Sequence, residues 1–127
     1  MLDLLLLILC LYGEARGEGI DGMIAVGNVI KNRTIVHEKT YKEVILQPYQ
    51  FSYFNKGWEL VKRDMNNFNN GDKISLENCV KVAILIYFDL VDDNTNGALF
   101  YHSVNVSPYW KSSVNKLITI KNHKFYN

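Results

Sequence analysis

The chain has 127 residues, 48% of them hydrophobic, which is enough for one domain with its own core and too apolar for a disordered protein. Its 14 basic and 13 acidic side chains give a net charge of +1, so the basic surface that nucleic-acid binding requires is not expected. Its two cysteines are too few for a disulfide framework. We therefore expect a single domain over residues 1–127 with free, buried thiols and no nucleic-acid partner. These quantities give no indication of oligomeric state.

The chain opens on an apolar run at residues 4–11. Asp3 precedes it in place of a basic segment, and no small-residue cleavage site follows, so it does not fit a signal peptide. It is also far shorter than the roughly 20 apolar residues of a membrane-spanning helix. We expect a core helix that is not inserted in a membrane. Its predicted buried residues are Leu4, Leu5, Ile8, Leu9 and Leu11.

Glu14 follows this run, in a segment, residues 12–18, that reads YGEARGE. A helix through residues 4–11 places Glu14 in its last turn, where the helix dipole and neighbouring apolar surface both disfavour negative charge. Both effects raise the pKa of a carboxyl, which suits a general acid at neutral pH. The alternative is a polar helix end stopped by Gly17.

A second helix is predicted from an N-cap at Asp21 to about Arg33. Gly27 lies inside its apolar stripe, and a glycine there indicates close contact with another helix, since it otherwise costs about 1 kcal/mol. The stripe comprises Met23, Val26, Gly27 and Ile30, widened by Ile24 and Val29.

The later elements are shorter helices and strands. Helices are predicted over 40–46, ended by Pro48, over 58–65, and from a cap at Ser75. The last has a predicted apolar face of Val80, Ala83, Ile84 and Tyr87. Residues 117–120 and 124–126 are typical of strands joined by a turn at 122–123. The expected fold is α+β, mostly α-helical, with a small late β element.

Five segments carry a resemblance when taken together and in order. They are GEARGE at 13–18, AVGNVIKNR at 25–33, VILQPYQFS at 44–52, GALFY at 97–101 and KNHKFY at 121–126. The set resembles the bacterial cell wall hydrolase family, which includes the spore cortex-lytic enzymes. The sequence holds no complete set of metal ligands, so we expect no metal or cofactor. The resemblance implies a lysozyme-like, lytic-transglycosylase-like domain that cleaves the MurNAc–GlcNAc bond of peptidoglycan. It also implies that Glu14, the first glutamate of GEARGE, is catalytic.

The second catalytic role is less defined, since Glu18 is the only acid near Glu14 in the sequence. An unbroken helix would place both on one face, but Gly17 lies between them. Glu18 is otherwise a helix-start carboxylate or an ion-pair partner of Arg16. Lytic transglycosylases need no second carboxylate, so this pattern favours that route. A muramidase that activates water, and a non-catalytic glycan-binding module, remain open alternatives.

Five residues are candidates for binding the sugar chain, and Glu18 is the first of them. Gln50 and Ser52 follow a proline turn and have side chains that hydrogen-bond to hydroxyls. Tyr101 and Trp110 have rings that stack on a pyranose, although large aromatics more often pack in cores. For His123 we expect a structural role in the turn.

Metal chemistry finds little support in the sequence. Asp92, Asn94 and Asn96 have the spacing of calcium ligands, with Gly97 at the sharp turn, but Ser103 stands where the closing glutamate belongs. Asn- and Asp-rich turns form without a metal.

Two other catalytic classes are equally weak. His37-Glu38 is not followed by the second histidine of a zinc protease helix. Cys10 and Cys79 lie in apolar helical patterns, where a thiol is usually inert.

The expected place of action is the bacterial cell wall, outside the cytoplasm. No recognisable signal peptide is present, and the small size and the Asn-, Lys- and Ile-rich composition favour a phage lysin made in the host over a bacterial enzyme.

Overall fold

The structure, a computed structural model, describes residues 2–48, 50–51, 63, 66–67 and 69–127. The helix predicted over 58–65 lies outside the described residues except for Arg63. In chain order the described elements are α1 (Leu2–Ala15), α2 (Gly19–Val36), α3 (Tyr41–Ile45), α4 (Asn70–Tyr87), β1 (Phe100–Ser103), a 3-10 helix (Tyr109–Ser113), β2 (Lys116–Ile120) and β3 (His123–Tyr126).

Two helix starts differ from the sequence prediction. The helix predicted from Asp21 begins at Gly19, with Asp21 in its first turn. The helix predicted from Ser75 begins five residues earlier, because Asn69 and Asp72 form a reciprocal capping box. Such a box satisfies two N–H groups at the start of the helix, so the helix begins within this polar stretch.

Two predicted helix faces were partly wrong. Leu5 of α1 is 51% exposed, and Ile84 of α4 is 38% exposed. Residues 4–12 of α1 and 82–87 of α4 are apolar at every position, so periodicity alone did not identify the side that meets the core. The buried face of α1 consists of Leu7, Cys10, Leu11, Tyr12 and Ala15, and that of α4 of Cys79, Val82, Ala83 and Ile86.

α4 packs against both α1 and α2, and α3 packs against the same two helices. A Cβ atom at Gly27 of α2 would lie 2.9 Å from Cγ1 of Ile86 on α4. That distance is shorter than real carbon contacts allow, so the predicted close approach at Gly27 is confirmed. The buried residues of α1, α2, α3 and α4 form one hydrophobic cluster that also includes Phe125 of β3.

The three strands form one antiparallel sheet in the order β1-β3-β2. The strands predicted at 117–120 and 124–126 are confirmed as β2 and β3, and the turn between them lies at Lys121 and Asn122. β1 was not predicted as a strand. It pairs with β3 so that Tyr101 lies opposite Phe125, and it contacts α2. This pairing brings Tyr101 to the helical side of the sheet.

The architecture is therefore mostly helical with a small sheet late in the chain, as predicted. Among the helices of the described residues, none has the length and hydropathy needed to cross a membrane.

Candidate active site

The segment that carries Glu14 and Glu18 turns sharply between two helices. α1 ends at Ala15, whose carbonyl accepts a hydrogen bond of 3.0 Å from the backbone N–H of Glu18. Gly19 has a φ of 71°, a backbone conformation that glycine adopts without strain. Glu14 therefore closes one helix while Glu18 precedes the next, so the two carboxylates do not share a helix face.

Glu14 lies half-buried in the last turn of α1. The hydroxyl of Tyr101 on β1 donates to its Oε2 atom over 3.4 Å. Burial raises the pKa of Tyr101 well above its usual value, and the negative charge of Glu14 raises it further. The phenol is consequently neutral at any ordinary pH and presents a hydrogen-bond donor to the carboxyl of Glu14.

Glu18 occupies the N-cap position of α2, but its side chain points to the turn between β2 and β3. Its Oε2 accepts hydrogen bonds from the backbone N–H of Asn122 at 3.4 Å and from Nδ2 of the same residue at 3.1 Å. Its Oε1 lies 3.1 Å from Nδ1 of His123. Gly22, one turn into α2, gives the side chain room, since a Cβ there would lie 2.5 Å from Cβ of Glu18.

His123 is the first residue of β3 and is 9% exposed. Burial lowers its pKa, the charge of Glu18 raises it, and His102 lowers it, with a net decrease. Although Oε1 of Glu18 is close, the ring N–H is not aligned with it for a hydrogen bond. The ring meets that of Tyr101 edge-on, with centroids 5.0 Å apart. His123 thus connects the Glu18 turn to the residue that contacts Glu14.

A cleft of about 540 Å³ opens beside Tyr101. It brings together three of the predicted binding residues, Gln50, Tyr101 and Trp110. Trp110, on the 3-10 helix, packs on the sheet with its ring centroid 5.7 Å from that of Phe100 and 5.6 Å from that of Tyr126. Glu14 and the predicted binding residue Glu18 are not among the residues that line the cleft, and the predicted binding residue Ser52 lies outside the described residues.

The sequence reasoning did not single out three further residues of the cleft, Arg33, Phe100 and Tyr109. Arg33 and Phe100 lie in the runs 25–33 and 97–101 that carried the family resemblance, which was the available signal. Tyr109 is 95% exposed and begins a 3-10 helix that no periodic sequence pattern predicted, so nothing in the sequence indicated it.

The Asp- and Asn-rich segment before β1 is organised by Asp93. Its Oδ1 accepts from the backbone N–H and the hydroxyl of Thr95 at 2.8 and 2.6 Å. Its Oδ2 accepts from the backbone N–H of Gly97 at 3.0 Å and from Nδ2 of Asn32 at 2.9 Å. Asn32 also donates to the carbonyl of Ala98, so α2 fixes the loop that leads into β1 and Tyr101. The carboxylate that organises the turn is therefore not that of Asp92, the first residue of the calcium pattern.

Both cysteines are free and buried, as expected. Burial raises the pKa of Cys10 well above its usual value and that of Cys79 to about 12, which leaves little reactive thiolate. Within the described ranges, no three His, Cys, Asp or Glu side chains come close enough to hold a metal ion together.

Comparison with known proteins agrees with this architecture. Residues 17–126 match the family model described as Cell Wall Hydrolase. No curated protein matches this sequence. The catalytic domain of the germination-specific lytic transglycosylase SleB from Bacillus anthracis is similar, with 23% identity, a TM-score of 0.67 and coverage of 98% of this chain and 93% of that one. The catalytic domain of Bacillus cereus SleB has 25% identity, a TM-score of 0.65 and coverage of 98% and 89%.

These likenesses confirm the predicted lysozyme-like fold, and the family match covers well over half of the sequence. The chain belongs to the cell wall hydrolase family.

Proposed function

We propose that residues 1–127 form a single catalytic domain that cleaves the MurNAc–GlcNAc bond of peptidoglycan as a lytic transglycosylase. The observation that carries the proposal is the position of Glu14, whose Oε2 lies 3.4 Å from the hydroxyl of a tyrosine that lines the cleft. The match to the family model begins at residue 17, so the role of Glu14 rests on its place in the site. The likeness to a domain described as a lytic transglycosylase supports the reaction type.

In the proposed reaction, the protonated carboxyl of Glu14 gives its proton to the glycosidic oxygen as the bond from that oxygen to C1 of MurNAc breaks. Positive charge develops at C1 and on the ring oxygen. The 6-hydroxyl of the same MurNAc then forms a bond to C1, and its proton passes to the Glu14 carboxylate. The acid is thereby regenerated, and the products are a 1,6-anhydro-muramic end and a free GlcNAc 4-hydroxyl. Tyr101 holds the carboxyl in place and donates to it while it is ionised.

The surroundings of Glu18 favour this route over hydrolysis. Its side chain is 10% exposed, and its carboxylate accepts hydrogen bonds from Asn122 and lies beside His123. A nucleophile or a base that activates water must reach the anomeric carbon from the side opposite the acid. A carboxylate that is occupied by a structural turn is poorly suited to that task. Glu18 therefore stabilises the turn between β2 and β3, and His123 at the end of that turn packs against Tyr101.

The cleft supplies the groups that bind sugars. The rings of Tyr101, Tyr109 and Trp110 offer faces for pyranose stacking, and the amide of Gln50 offers hydrogen bonds to hydroxyls. Ser52 is a further candidate for such a hydrogen bond. A protein with this activity acts on the cell wall outside the cytoplasm. The composition favours a lysin encoded by a phage.

Mass spectrometry of muropeptides released from purified sacculi tests the proposal. We expect products that end in 1,6-anhydro-muramic acid. Products with reducing muramic acid would indicate a muramidase that uses water, and products with reducing N-acetylglucosamine would indicate cleavage of the other glycosidic bond. Binding to sacculi without any released product would indicate a glycan-binding module.

A further inference from the structure

We infer that Arg33 forms an anion subsite in the cleft, which binds a carboxylate carried by the glycan strand. This inference rests on the proposed function, because it concerns the substrate of the same cleft. It assigns to that cleft a preference for strands whose muramic acid units bear negative charge.

The groups that contact Arg33 directly are neutral. Its Nε donates to the carbonyl of Leu99 at 2.6 Å and its Nη1 to Oε1 of Gln50 at 3.1 Å. Its guanidinium lies 5.4 Å from the ring centre of Phe51 and 5.7 Å from that of Phe100. Within the described part of the chain, no carboxylate forms an ion pair with it.

Burial leaves this cation incompletely compensated. Desolvation lowers the pKa of Arg33, and the opposing influences come from Tyr101 and Cys10, which are neutral at ordinary pH. Buried charges in proteins are normally paired, because removal from water costs free energy that a counterion offsets. Arg33 therefore has the environment of a group whose partner arrives with a ligand.

The acidic residues near the end of α2 engage the neighbours of Arg33 instead. Asp89 pairs with Lys31, and Asp93 accepts from Asn32. Arg33 is left to face the cleft that it lines together with Tyr109 and Trp110. A guanidinium has five N–H donors, and two of those of Arg33 are used by Leu99 and Gln50. These bonds hold the group in one orientation, so the remaining donors are preorganised for a ligand.

Carboxylate is the anion that a strand of peptidoglycan offers. The sugar rings are neutral, and the charge is carried by substituents of muramic acid, either a free lactyl group or the carboxyls of a peptide stem. Arginine binds carboxylates through paired, charge-assisted hydrogen bonds. A strand whose sugars stack on Tyr109 and Trp110 would carry such a substituent past Arg33.

Gln50→Glu is the informative variant, because it places a carboxylate beside Nη1 and neutralises Arg33 while leaving the arginine and its bond to Leu99 in place. Gln47→Glu is the matched control, since it makes the same change at an exposed residue that borders a different depression, beside Lys39 and Lys42. Both are made in a Glu14→Gln background so that no ligand is cleaved.

Calorimetry then measures binding of a GlcNAc–muramic acid tetrasaccharide with free lactyl carboxylates, the same strand with peptide stems, and each with its carboxyls converted to amides. We expect at least one charged strand to bind on the order of 10-fold or more tightly than its amide. Gln50→Glu abolishes that difference and Gln47→Glu retains it. The strand that shows the difference identifies the lactyl group or the stem as the source.

Equal affinities for charged and amidated strands would overturn the anion subsite, as would equal effects of the two glutamate substitutions. If sacculi are still cleaved in that case, the proposed function stands without the subsite. If no strand binds and no sacculus is cleaved, both are wrong.

Discussion

The hydroxyl of Tyr101 lies 3.4 Å from Oε2 of Glu14, although 87 residues separate the two in sequence. The contact joins the first strand to the last turn of the first helix and places the Glu14 carboxyl against a residue that lines the cleft. A strong O–H···O hydrogen bond is about 2.7–2.8 Å long, so this one is loose. Catalytic hydrogen bonds are often long without substrate and tighten when it binds.

Glu14→Gln is expected to abolish turnover of sacculi while preserving the fold, because an amide keeps the shape of the carboxyl but supplies no proton. Loss of a general acid reduces the rate on the order of 100- to 10,000-fold. The matched variant Glu18→Gln should reduce it much less, since Glu18 supports a turn. Muropeptide release and thermal unfolding measure the two properties. Equal damage from both variants would favour a hydrolase with two carboxylates.

Tyr101→Phe should lower kcat about 10-fold, the value of roughly one lost hydrogen bond to a charged group. The ring and its packing remain, so the unfolding temperature should change little. Tyr41→Phe is the control, because it removes the same hydroxyl from a tyrosine far from Glu14. Tyr41 packs on Tyr87 and begins α3, which lies at the start of α1 near Asp3. If the two variants have the same kcat, Tyr101 has no role in positioning Glu14.

The sequence carried enough information to identify the helices and the late strands, because their apolar periodicity reflects burial directly. It did not determine which face of α1 or α4 is buried, since a run such as residues 4–11 is apolar on every side. It also missed β1, because Phe100 and Tyr101 occupy a strand whose pairing partner lies more than 20 residues away. Packing and long-range pairing decide such features.

Long-range pairing also limits how much of the candidate site the sequence could predict. Glu14 was identifiable from its position after an apolar helix, and Gln50, Tyr101 and Trp110 from their side-chain chemistry. The contact between Glu14 and Tyr101 depends on the pairing of β1 with β3. Arg33 was missed because an arginine near a helix end normally indicates a solvated terminus, and only the three-dimensional structure shows that no carboxylate of the described residues pairs with it.

Gly27→Ala should lower the free energy of unfolding by about 1 kcal/mol or more. The added methyl would lie 2.9 Å from Cγ1 of the fully buried Ile86, and the overpacking outweighs the gain in helix propensity. Gly17→Ala is the control, since among the described residues no atom beyond its two chain neighbours lies within 4 Å of its added methyl. Denaturant titration of both variants measures the difference. A stability of the Gly27 variant equal to that of the parent would show that α2 and α4 separate easily.

Asp93→Ala should destabilise the protein by about 2 kcal/mol, because it leaves the N–H groups of Thr95 and Gly97 without an acceptor. Asp92→Ala, at the exposed neighbour, should have little effect. Burial raises the pKa of Asp93, but hydrogen bonds from Thr95, Asn32 and Gly97 outweigh it and lower the pKa overall. Thermal unfolding with and without calcium measures these effects. If calcium raises the unfolding temperature of the parent but not that of Asp92→Ala, the loop binds the metal.

His123 should make the protein less stable as the pH falls below about 6.5. Burial lowers the pKa of this histidine in the folded state despite the nearby charge of Glu18. Between that lowered pKa and about 6.5, the unfolded chain therefore binds more protons than the folded one, so stability increases with pH across this range. Protonation would also place a buried positive charge beside the ring of Tyr101.

The measurement is the unfolding midpoint in urea from about pH 7.5 down to about pH 5, above the range in which carboxylates such as Asp93 titrate. His123→Gln should flatten this dependence. His37→Gln, at the exposed end of α2, should leave it as in the parent. The same pH dependence in the parent and in His123→Gln would show that His123 titrates alike in the folded and unfolded chains. Its burial against Glu18 and Tyr101 would then contribute nothing to the loss of stability at low pH.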